Sequence, residues 1–592
     1  MMKKIGIILM SFLCVVFLSN SWADKDINIE VKTGIHGVGV HESKVKVGEY
    51  DVLNTGVQPD ISFFLNGKIN DLYFSGSGTY YEEEDQQYSA SVDIKRYLTQ
   101  EFTYYRFKHW LDHDPLTNLY AAATTGTNVI PPLVTYTDLE SGRDYSIVRS
   151  ERESKTTLRI PLELPFELKT FFNYRTEARW GERQALTMSK CSACHVVSRS
   201  KRIDEYTEDY NPGFIATYRS KKARVSFSYE YLDREFRENA MAPENYYDRA
   251  VHPGGKGYIF DDRVQYQNTK LPYAHSPRSR KYSHIVKLDS YVPSLNTGMF
   301  IGSVYSETEN KEEDLKFNLK TIFTRLSSAM IPGLSFNVHF RYLDLANQSI
   351  FVDTNEPVSS AGTNAGHTWA DPSHGGTYNA IDPDFTRNSA MSRRQYEVGL
   401  DMVYLLMKGI TLRGSYEWRE IKRDHYYVTS NDKETKEHRA KLAINARFKP
   451  PVIKKPIRAT LTYKYKSIDA PFANVDAAFN GETSITGATS AAFYGTQYWE
   501  LHEMRNLTLT NLPTLTHEIR FDTTVPVYDR LSVTAFYRWI EEKNKAVEWA
   551  NKTHMPSLSI WYAPLDKLSF TVSYLYKYGK TNSLLCVPVY DG

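Results

Sequence analysis

The stretch that decides the fold is ARVSFSYEYL, residues 223–232. Its apolar and polar side chains alternate, so an extended chain presents one apolar side made of Val225, Phe227, Tyr229 and Tyr231. The same alternation recurs in residues 315–323, 457–465 and 568–576. Alternation over about nine to eleven residues is typical of a transmembrane β-strand, with lipid on one face and water on the other. Strands of soluble sandwiches are usually shorter, about five or six residues.

Short and long connections between these strands also alternate along the chain. Short turns are predicted near residues 66–68, 97–100, 165, 219–222, 292–296, 327–333, 406–410, 449–455, 526–530 and 563–567. Long segments are predicted at 111–155, 181–212, 237–281, 346–392 and 468–514. Outer-membrane barrels have short periplasmic turns and longer outer loops. We therefore predict an all-β fold, a large transmembrane antiparallel β-barrel of about 20–24 strands, with 27–41 as a front strand and 583–590 as a weak last strand.

The amino terminus predicts export. Lys3 and Lys4 precede an apolar run at 5–18, and a small residue, Ala23, ends a suitable cleavage site. Residues 1–23 are therefore predicted to be a signal peptide, and 24–592 the barrel in the bacterial outer membrane. Removing the signal peptide leaves 70 basic and 70 acidic residues, so no basic excess indicates a nucleic-acid partner.

One motif carries chemistry. Cys191, Cys194 and His195 form the sequence C-x-x-C-H, the attachment signal for a c-type haem. The two thiols would bind one covalent haem c, and His195 would be an axial ligand of the haem iron. Two other interpretations stay open: a disulfide between the cysteines, and a metal site, for which no second C-x-x-C or H-x-x-H supplies the remaining ligands.

The motif lies in the 181–212 connection, which we predict to be a loop on the long-loop side of the barrel. Our hypothesis is that this loop folds into the lumen and adds one redox centre there. The sixth ligand of the iron is not determined by the sequence. The candidates are His113, His252, His275, His367, His374 and Met188.

The segment Ser43–Leu119, which begins SKVKVGEYDVLN and continues through hairpins rich in tyrosine, resembles the opening of the MtrB/PioB family. Members of that family are outer-membrane β-barrels that sheath multihaem c-type cytochromes and let electrons cross the membrane. The C-x-x-C that members commonly carry near the mature amino terminus is absent here, where the only C-x-x-C is at 191–194.

The resemblance and the motif together predict a non-enzymatic electron-conduit barrel. It would carry a haem of its own and enclose a periplasmic multihaem c-type cytochrome, with a second cytochrome at the cell surface as a further partner. Two alternatives stay open. One is a porin-like transport barrel with a structural C-x-x-C disulfide and no haem. The other is a haem enzyme embedded in the outer membrane.

Overall fold

A computed structural model gives the fold of the chain. It describes residues 25–40, 44–52, 56–117, 124–125, 128–129, 136–161, 165–190, 195–247, 269–352, 385–387, 389, 391–423, 434–451, 453, 455–469, 513–544 and 549–583. The predicted signal peptide and Cys586 lie outside these ranges.

Nearly all described residues are in strands, as the two-residue alternation predicts. The strands are β1 (Lys25–Val38), β2 (Gly56–Ile69), β3 (Leu72–Glu82), β4 (Asp85–Ile94), β5 (Leu98–Leu111), β6 (Thr124–Thr125), β7 (Asn128–Val129), β8 (Tyr136–Asp138), β9 (Tyr145–Ile160), β10 (Phe166–Lys190), β11 (His195–Arg219), β12 (Arg224–Glu238), β13 (Glu244–Tyr247), β14 (Thr269–Pro272), β15 (Ser279–Val292), β16 (Thr297–Asn310), β17 (Leu315–Ile331), β18 (Leu334–Asn347), β19 (Ile350–Val352), β20 (Phe385–Arg387), β21 (Arg393–Met407), β22 (Ile410–Arg423), β23 (Glu434–Phe448), β24 (Ile457–Asp469), β25 (Leu515–Tyr528), β26 (Leu531–Asn544), β27 (Trp549–Leu565), β28 (Leu568–Leu575) and β29 (Tyr578–Ser583). A one-turn helix, α1 (Lys44–Val47), and a 3-10 turn (Pro293–Leu295) complete the described elements.

Twenty-three of these strands form one sheet in which each long strand pairs antiparallel with the next long strand along the chain. The short strand β8 adds to β11 in the parallel sense. Strands β28 and β29 both pair with β27, so they are two parts of one crossing strand. The described residues therefore contain twenty-one crossing strands, and the prediction of a large antiparallel barrel is confirmed.

The front strand predicted at 27–41 is confirmed as β1. Within the described residues, no ladder joins β1 to β29. The predicted last strand at 583–590 lies outside these residues apart from Ser583, so it stays a prediction.

The connections at one end of the sheet are all short, and they lie within a few residues of the predicted turns. They include the two-residue connections between β2 and β3, β17 and β18, β21 and β22, and β25 and β26. The long connections lie at the opposite end, as expected for an outer-membrane barrel. We call these the periplasmic end and the outer end.

One predicted connection is wrong. Residues 181–212 do not form a loop: 181–190 continue β10, and 195–212 belong to β11. Only four residues join the two strands, so the C-x-x-C-H motif lies at the tip of a long β-hairpin. The reason is that polar residues in a β-ribbon beyond the membrane still satisfy their backbone hydrogen bonds by pairing, whatever their side chains.

The register of the ladders assigns the faces. In β12, Phe227 lies on the outward face and is exposed, as the alternation predicts, while Glu230 and Arg234 face the lumen. The same outward face on the neighbouring strands carries many exposed apolar side chains, such as Leu326, Phe340 and Leu461. Exposed apolar residues on one face only are expected when that face contacts lipid. Among the described residues, no helix is both long and apolar enough to cross a membrane.

These face assignments predict that a charge is tolerated in the lumen and not on the outer face. Leu461 on β24 faces lipid and is exposed, whereas its neighbour Thr460 faces the lumen opposite Asp522. We expect Leu461→Lys to reduce the free energy of unfolding by about 2–4 kcal/mol, the usual cost of a lysine near the bilayer midplane.

The control is Thr460→Lys, where the new ammonium lies beside Asp522 and the expected loss is below about 1 kcal/mol. Denaturant unfolding in lipid vesicles measures both. Equal losses in the two variants would mean that the faces are assigned incorrectly.

Candidate functional site

The hairpin of β10 and β11 is the longest in the described sheet, with 25 residues in each strand. Its neighbours are shorter. Strand β9 pairs with β10 as far as Glu182, and β12 pairs with β11 as far as Glu205. Residues 183–190 therefore extend past both neighbours at the outer end by eight residues, roughly 27 Å along the strand.

The tip of this hairpin carries the haem motif. Lys190 pairs with His195, and a register shift lies between Met188 and Lys190. Cys191 and Cys194 fall in the four residues between the paired positions and lie outside the described residues. His195 begins β11, and its side chain is not described. The structure thus fixes the position of the motif at the outer end and leaves its chemistry a prediction.

A segment of the preceding outer connection holds one edge of the hairpin. Strand β8 adds in parallel to 196–198, and Asp138 accepts a hydrogen bond from the Ser198 hydroxyl at 2.8 Å. The Ser200 backbone N–H donates to the Glu140 carboxylate at 2.5 Å. Ser198 is completely buried by these contacts. We call these two carboxylates, Asp138 and Glu140, the hairpin clamp.

Both clamp carboxylates lie outside the membrane and stay ionised. Burial acts to raise the pKa of Asp138, but hydrogen bonds from Ser198, the Glu140 backbone and His113 outweigh it and hold that pKa below its ordinary 3.8. Hydrogen bonds from the Ser200 side chain lower the pKa of Glu140 below its ordinary 4.5, against the effect of burial. Ionised carboxylates are the stronger acceptors, so the clamp is at full strength at neutral pH.

A buried ion pair holds the same strand, β11, at a second place. The Lys201 ammonium lies 3.0 Å from the Glu238 carboxylate at the end of β12, and both side chains are completely buried. Lys201 also donates to the Ala274 carbonyl, and the Ser276 N–H donates to Glu238 at 3.0 Å. A buried charge is tolerated only when it is paired and hydrogen-bonded, and both conditions are met here.

Two of the six candidate sixth ligands are described. His113 has both ring nitrogens engaged, Nδ1 at 2.6 Å from the Arg143 carbonyl and Nε2 at 2.7 Å from Asp138. Both ring nitrogens of His113 are thus directed at oxygen atoms of its neighbours and not at the motif. His275 Nε2 lies 2.7 Å from the Glu312 carboxylate.

The side chains of the other four candidates are not described by the structure. His252, His367 and His374 lie outside the described residues, and so does the side chain of Met188. None of the six is brought to the motif by the described contacts, so the sixth ligand stays undetermined.

The lumen wall is lined by ion pairs between neighbouring strands. Arg175 on β10 bonds Glu151 at 2.7 Å, Arg234 bonds Asp209 at 2.7 Å, and Arg538 bonds Glu518 at 3.1 Å. Cations and anions alternate across adjacent strands, so the wall carries both signs rather than a field of one sign. Such a surface suits either water or a protein that also carries both signs.

One lumen cluster has the composition of a metal site. His339 on β18, Glu397 on β21 and Glu417 on β22 offer ligand atoms that all lie within 4.8 Å of one another. Gly399 lies between them, and a Cβ there would be 2.1 Å from the His339 ring, so the glycine leaves room for the imidazole to lie across β21. The sequence did not indicate this site, because its ligands come from three separate strands.

One imidazole and two carboxylates suit Mn²⁺, Fe²⁺ or Zn²⁺. The His339 Nε2 lies 3.9 Å from Glu397, and Arg439 lies 3.2 Å from Glu417. A cation would therefore compete with Arg439 for one carboxylate. Within the described residues this is the one cluster of at least three such ligands.

Comparison with known proteins supports the fold. Residues 289–466, from the end of β15 to most of β24, match the family model of the MtrB/PioB outer-membrane β-barrel porins. The match covers less than a third of the chain, and it lies outside the Ser43–Leu119 segment on which the sequence resemblance rested. No curated protein matches the chain.

Several solved structures are similar in outline. The FrpB iron transporter from Neisseria meningitidis (F5-1 variant) has a TM-score of 0.42 at 9 % identity, covering 89 % of this chain and 80 % of that one. The siderophore receptor PirA from Acinetobacter baumannii has a TM-score of 0.46 at 10 % identity, covering 88 % and 73 %. TM-scores below 0.5 support no statement about function. The chain is a large β-barrel of the bacterial outer membrane, as its lipid-facing strands and the family match indicate.

The clamp predicts how the hairpin responds to acid. Because the pKa values of Asp138 and Glu140 are lowered on folding, their stabilisation is complete above the ordinary values and is lost as pH falls through the lowered ones. Amide hydrogen exchange of residues 196–200, corrected for intrinsic rates, should show constant protection from about pH 7 to about pH 5 and a loss below about pH 4.

At neutral pH, Asp138→Asn should lower that protection by roughly 5- to 100-fold, because a charged acceptor of a buried hydroxyl is lost. Asp233→Asn, at an ion pair with Arg280 on the outer face, is the control and should leave it unchanged. Unchanged protection in Asp138→Asn would rule out the clamp.

The His339 cluster predicts divalent-cation binding. Titration of the purified barrel with Mn²⁺, followed by electron paramagnetic resonance, should reveal one site that His339→Ala and Glu397→Gln abolish. Arg439→Gln should strengthen binding, since it removes the competing cation. Glu518→Gln, a lumen carboxylate already bonded by Arg538, is the control. Binding that is equal in all variants would exclude the site.

Proposed function

We propose that the chain is the outer-membrane barrel of an electron-transfer conduit. It encloses a multihaem c-type cytochrome that enters from the periplasm, and it carries one haem c on Cys191 and Cys194 with His195 as axial ligand. The observation that carries the proposal is the position of the C-x-x-C-H motif at the tip of the longest described hairpin, on the outer end of the barrel. Electrons would pass through, and no substrate would be turned over.

The residues around the motif fit a haem c. Lys190 and His195 pair across the hairpin, so the two cysteines begin and end a four-residue connection between adjacent strands. Two thiols at the C-x-x-C spacing can bind the two vinyl groups of one porphyrin, and the histidine that follows them can bind its iron. A haem bound there supplies a one-electron iron couple. The chain's own part is to hold that group at a fixed place above the barrel.

The hairpin clamp and the buried Lys201–Glu238 pair serve this positioning role. They fix strand β11 of the ribbon to other outer segments at two places, so that the tip does not depend on a single contact. The paired charges of the lumen wall support the second part of the proposal. A cytochrome surface of mixed charge could exchange partners with Arg175, Glu151 and similar residues without leaving an unpaired charge.

A porin-like barrel with a disulfide at the tip is the second candidate. The same observation favours it, because Lys190 and His195 are paired, and each is the neighbour along the chain of one of the two cysteines that a disulfide would join. In that case the bond closes the hairpin tip and the lumen transports solutes. The MtrB/PioB match supports the barrel in both candidates and does not separate them.

The two candidates are separated by mass and by the visible spectrum. The chain is produced in a host that attaches c-type haem, and is purified and denatured. We expect a mass increase of one haem and a c-type absorption band, both lost in Cys191→Ala/Cys194→Ala. Cys586→Ala is the matched control and should keep both signals.

A protein lighter by two hydrogens, without the absorption band, would overturn the haem and leave the disulfide. The conduit is tested separately by co-purification of a multihaem cytochrome with the wild-type barrel. A barrel that carries haem but never retains a cytochrome would contradict the sheath role while leaving the haem assignment intact.

A further inference from the structure

A repeated arrangement of tyrosine and histidine lies on the outward face of the barrel. In four places a tyrosine hydroxyl lies at hydrogen-bond distance from the Nδ1 of a histidine on the next long strand. The pairs are Tyr229–His284 at 2.8 Å, Tyr416–His438 at 2.8 Å, Tyr463–His517 at 2.8 Å and Tyr537–His554 at 2.9 Å. All four are on the face that contacts lipid.

Each pair has the same register. The tyrosine belongs to a Tyr-x-Tyr or Tyr-x-Trp triplet on a strand that rises toward the outer end, and the second aromatic residue lies directly opposite the histidine. The opposite pairs are Tyr231 and His284, Trp418 and His438, Tyr465 and His517, and Trp539 and His554. Four repeats of one register on four separate strand pairs indicate a shared role rather than local packing.

The pairs lie at the boundary of the apolar surface. Toward the periplasmic end, the same face carries residues such as Phe227, Ile444 and Leu558. Toward the outer end it carries exposed ion pairs, such as Asp233 with Arg280 and Glu541 with Lys552. Tyrosine and tryptophan are enriched at this boundary in membrane proteins. The four histidines are therefore level with the headgroups of the outer leaflet.

The hydrogen bond to tyrosine determines what each histidine offers. When the tyrosine hydroxyl donates to Nδ1, the proton of the neutral ring is on Nε2; in a doubly protonated ring Nδ1 instead donates to the tyrosine oxygen, and Nε2 again carries a proton. Nε2 is then a donor in both states. Among the residues that the structure describes, no partner is found for Nε2 of His284, His438, His517 or His554; His284 is exposed and the other three are half-buried.

A cation stands next to two of these donors. Lys436 lies two residues outward of His438 on the same face, and Lys552 lies two residues outward of His554. Both lysines are about half exposed and each has a carboxylate neighbour, Glu434 at 3.5 Å from Lys436 and Glu541 at 3.2 Å from Lys552, so a phosphate would share each ammonium with a glutamate. A ring N–H and an ammonium on one face at the headgroup level are complementary to a phosphate, which accepts several charge-assisted hydrogen bonds.

We propose that the four Tyr–His pairs form a headgroup-binding belt that holds phosphorylated lipid of the outer leaflet. Each tyrosine orients its histidine, and each histidine donates its Nε2–H to a lipid phosphate. At His438 and His554 the neighbouring lysine completes the site. The belt fixes the height of the barrel in the membrane, and it does not depend on the haem or on a cytochrome partner.

The test compares two lipids that differ only in their phosphates. The full-length barrel in detergent is incubated with lipid A bearing both phosphates, or with the same lipid after enzymatic dephosphorylation, and bound lipid is counted by native mass spectrometry. We expect the wild-type barrel to favour the phosphorylated lipid by about tenfold or more, equivalent to ~1.4 kcal/mol. An equal affinity for both lipids would overturn the proposal.

Variants then locate the binding. Replacing His284, His438, His517 and His554 by phenylalanine keeps four interfacial rings and removes the donors, so the preference should fall to about onefold. His438→Phe/His554→Phe, which affects only the sites with a lysine, should remove most of it. His339→Gln, in the lumen, is the matched control and should keep the full preference.

Tyrosine-to-phenylalanine replacement at 229, 416, 463 and 537 tests the orienting role and should weaken the preference several-fold. Migration of unheated samples on denaturing gels reports whether each variant is a folded barrel. A folded four-histidine variant that retains the phosphate preference would show that the belt is only an aromatic boundary.

Discussion

The backbone hydrogen bond in lipid is the constraint on which the rest of this structure depends. No water reaches the bilayer core, so every crossing segment must find its partners in the next strand. That requirement explains why long strand after long strand pairs antiparallel with its neighbour along the chain, and why side chains alternate between lipid and lumen. It also explains the position of the motif. Pairing continues beyond the membrane in β10 and β11, and carries C-x-x-C-H to the outer end.

Much of this fold could be predicted from the sequence, because contact with lipid on one face requires apolar and polar residues to alternate along each strand. The predictions from the sequence are wrong in the parts of the strands that extend beyond the membrane. In β17, Leu315, Phe317 and Leu319 are the apolar members of the pattern, yet the register places them on the lumen side, with Lys316 outside against Glu307. These residues lie level with the outer ion pairs, beyond the membrane, where no solvent difference fixes the faces. The 181–212 segment was misinterpreted for the same reason.

The functional residues divide similarly. Cys191, Cys194 and His195 could be identified from the sequence because they lie within five consecutive residues. The candidate cation site at His339, Glu397 and Glu417 depends on which strands become neighbours. The Tyr–His belt could be predicted from the sequence only in part. Its Tyr-x-Tyr and Tyr-x-Trp triplets are legible in the sequence, but the histidines lie on the following strands and are matched to them only by register. Pairing of strands, rather than proximity along the chain, creates most of the chemistry of a barrel.

The buried pair of Lys201 and Glu238 has a consequence for how this protein can vary. Loss of either partner leaves an uncompensated charge in a completely buried site, at a cost of about 3–5 kcal/mol. Replacement of both by apolar residues of similar volume carries no such penalty. Either single substitution therefore destabilises the protein and should be selected against. In a set of related sequences, positions 201 and 238 should change together or stay as they are, and this covariation would be legible without any structure.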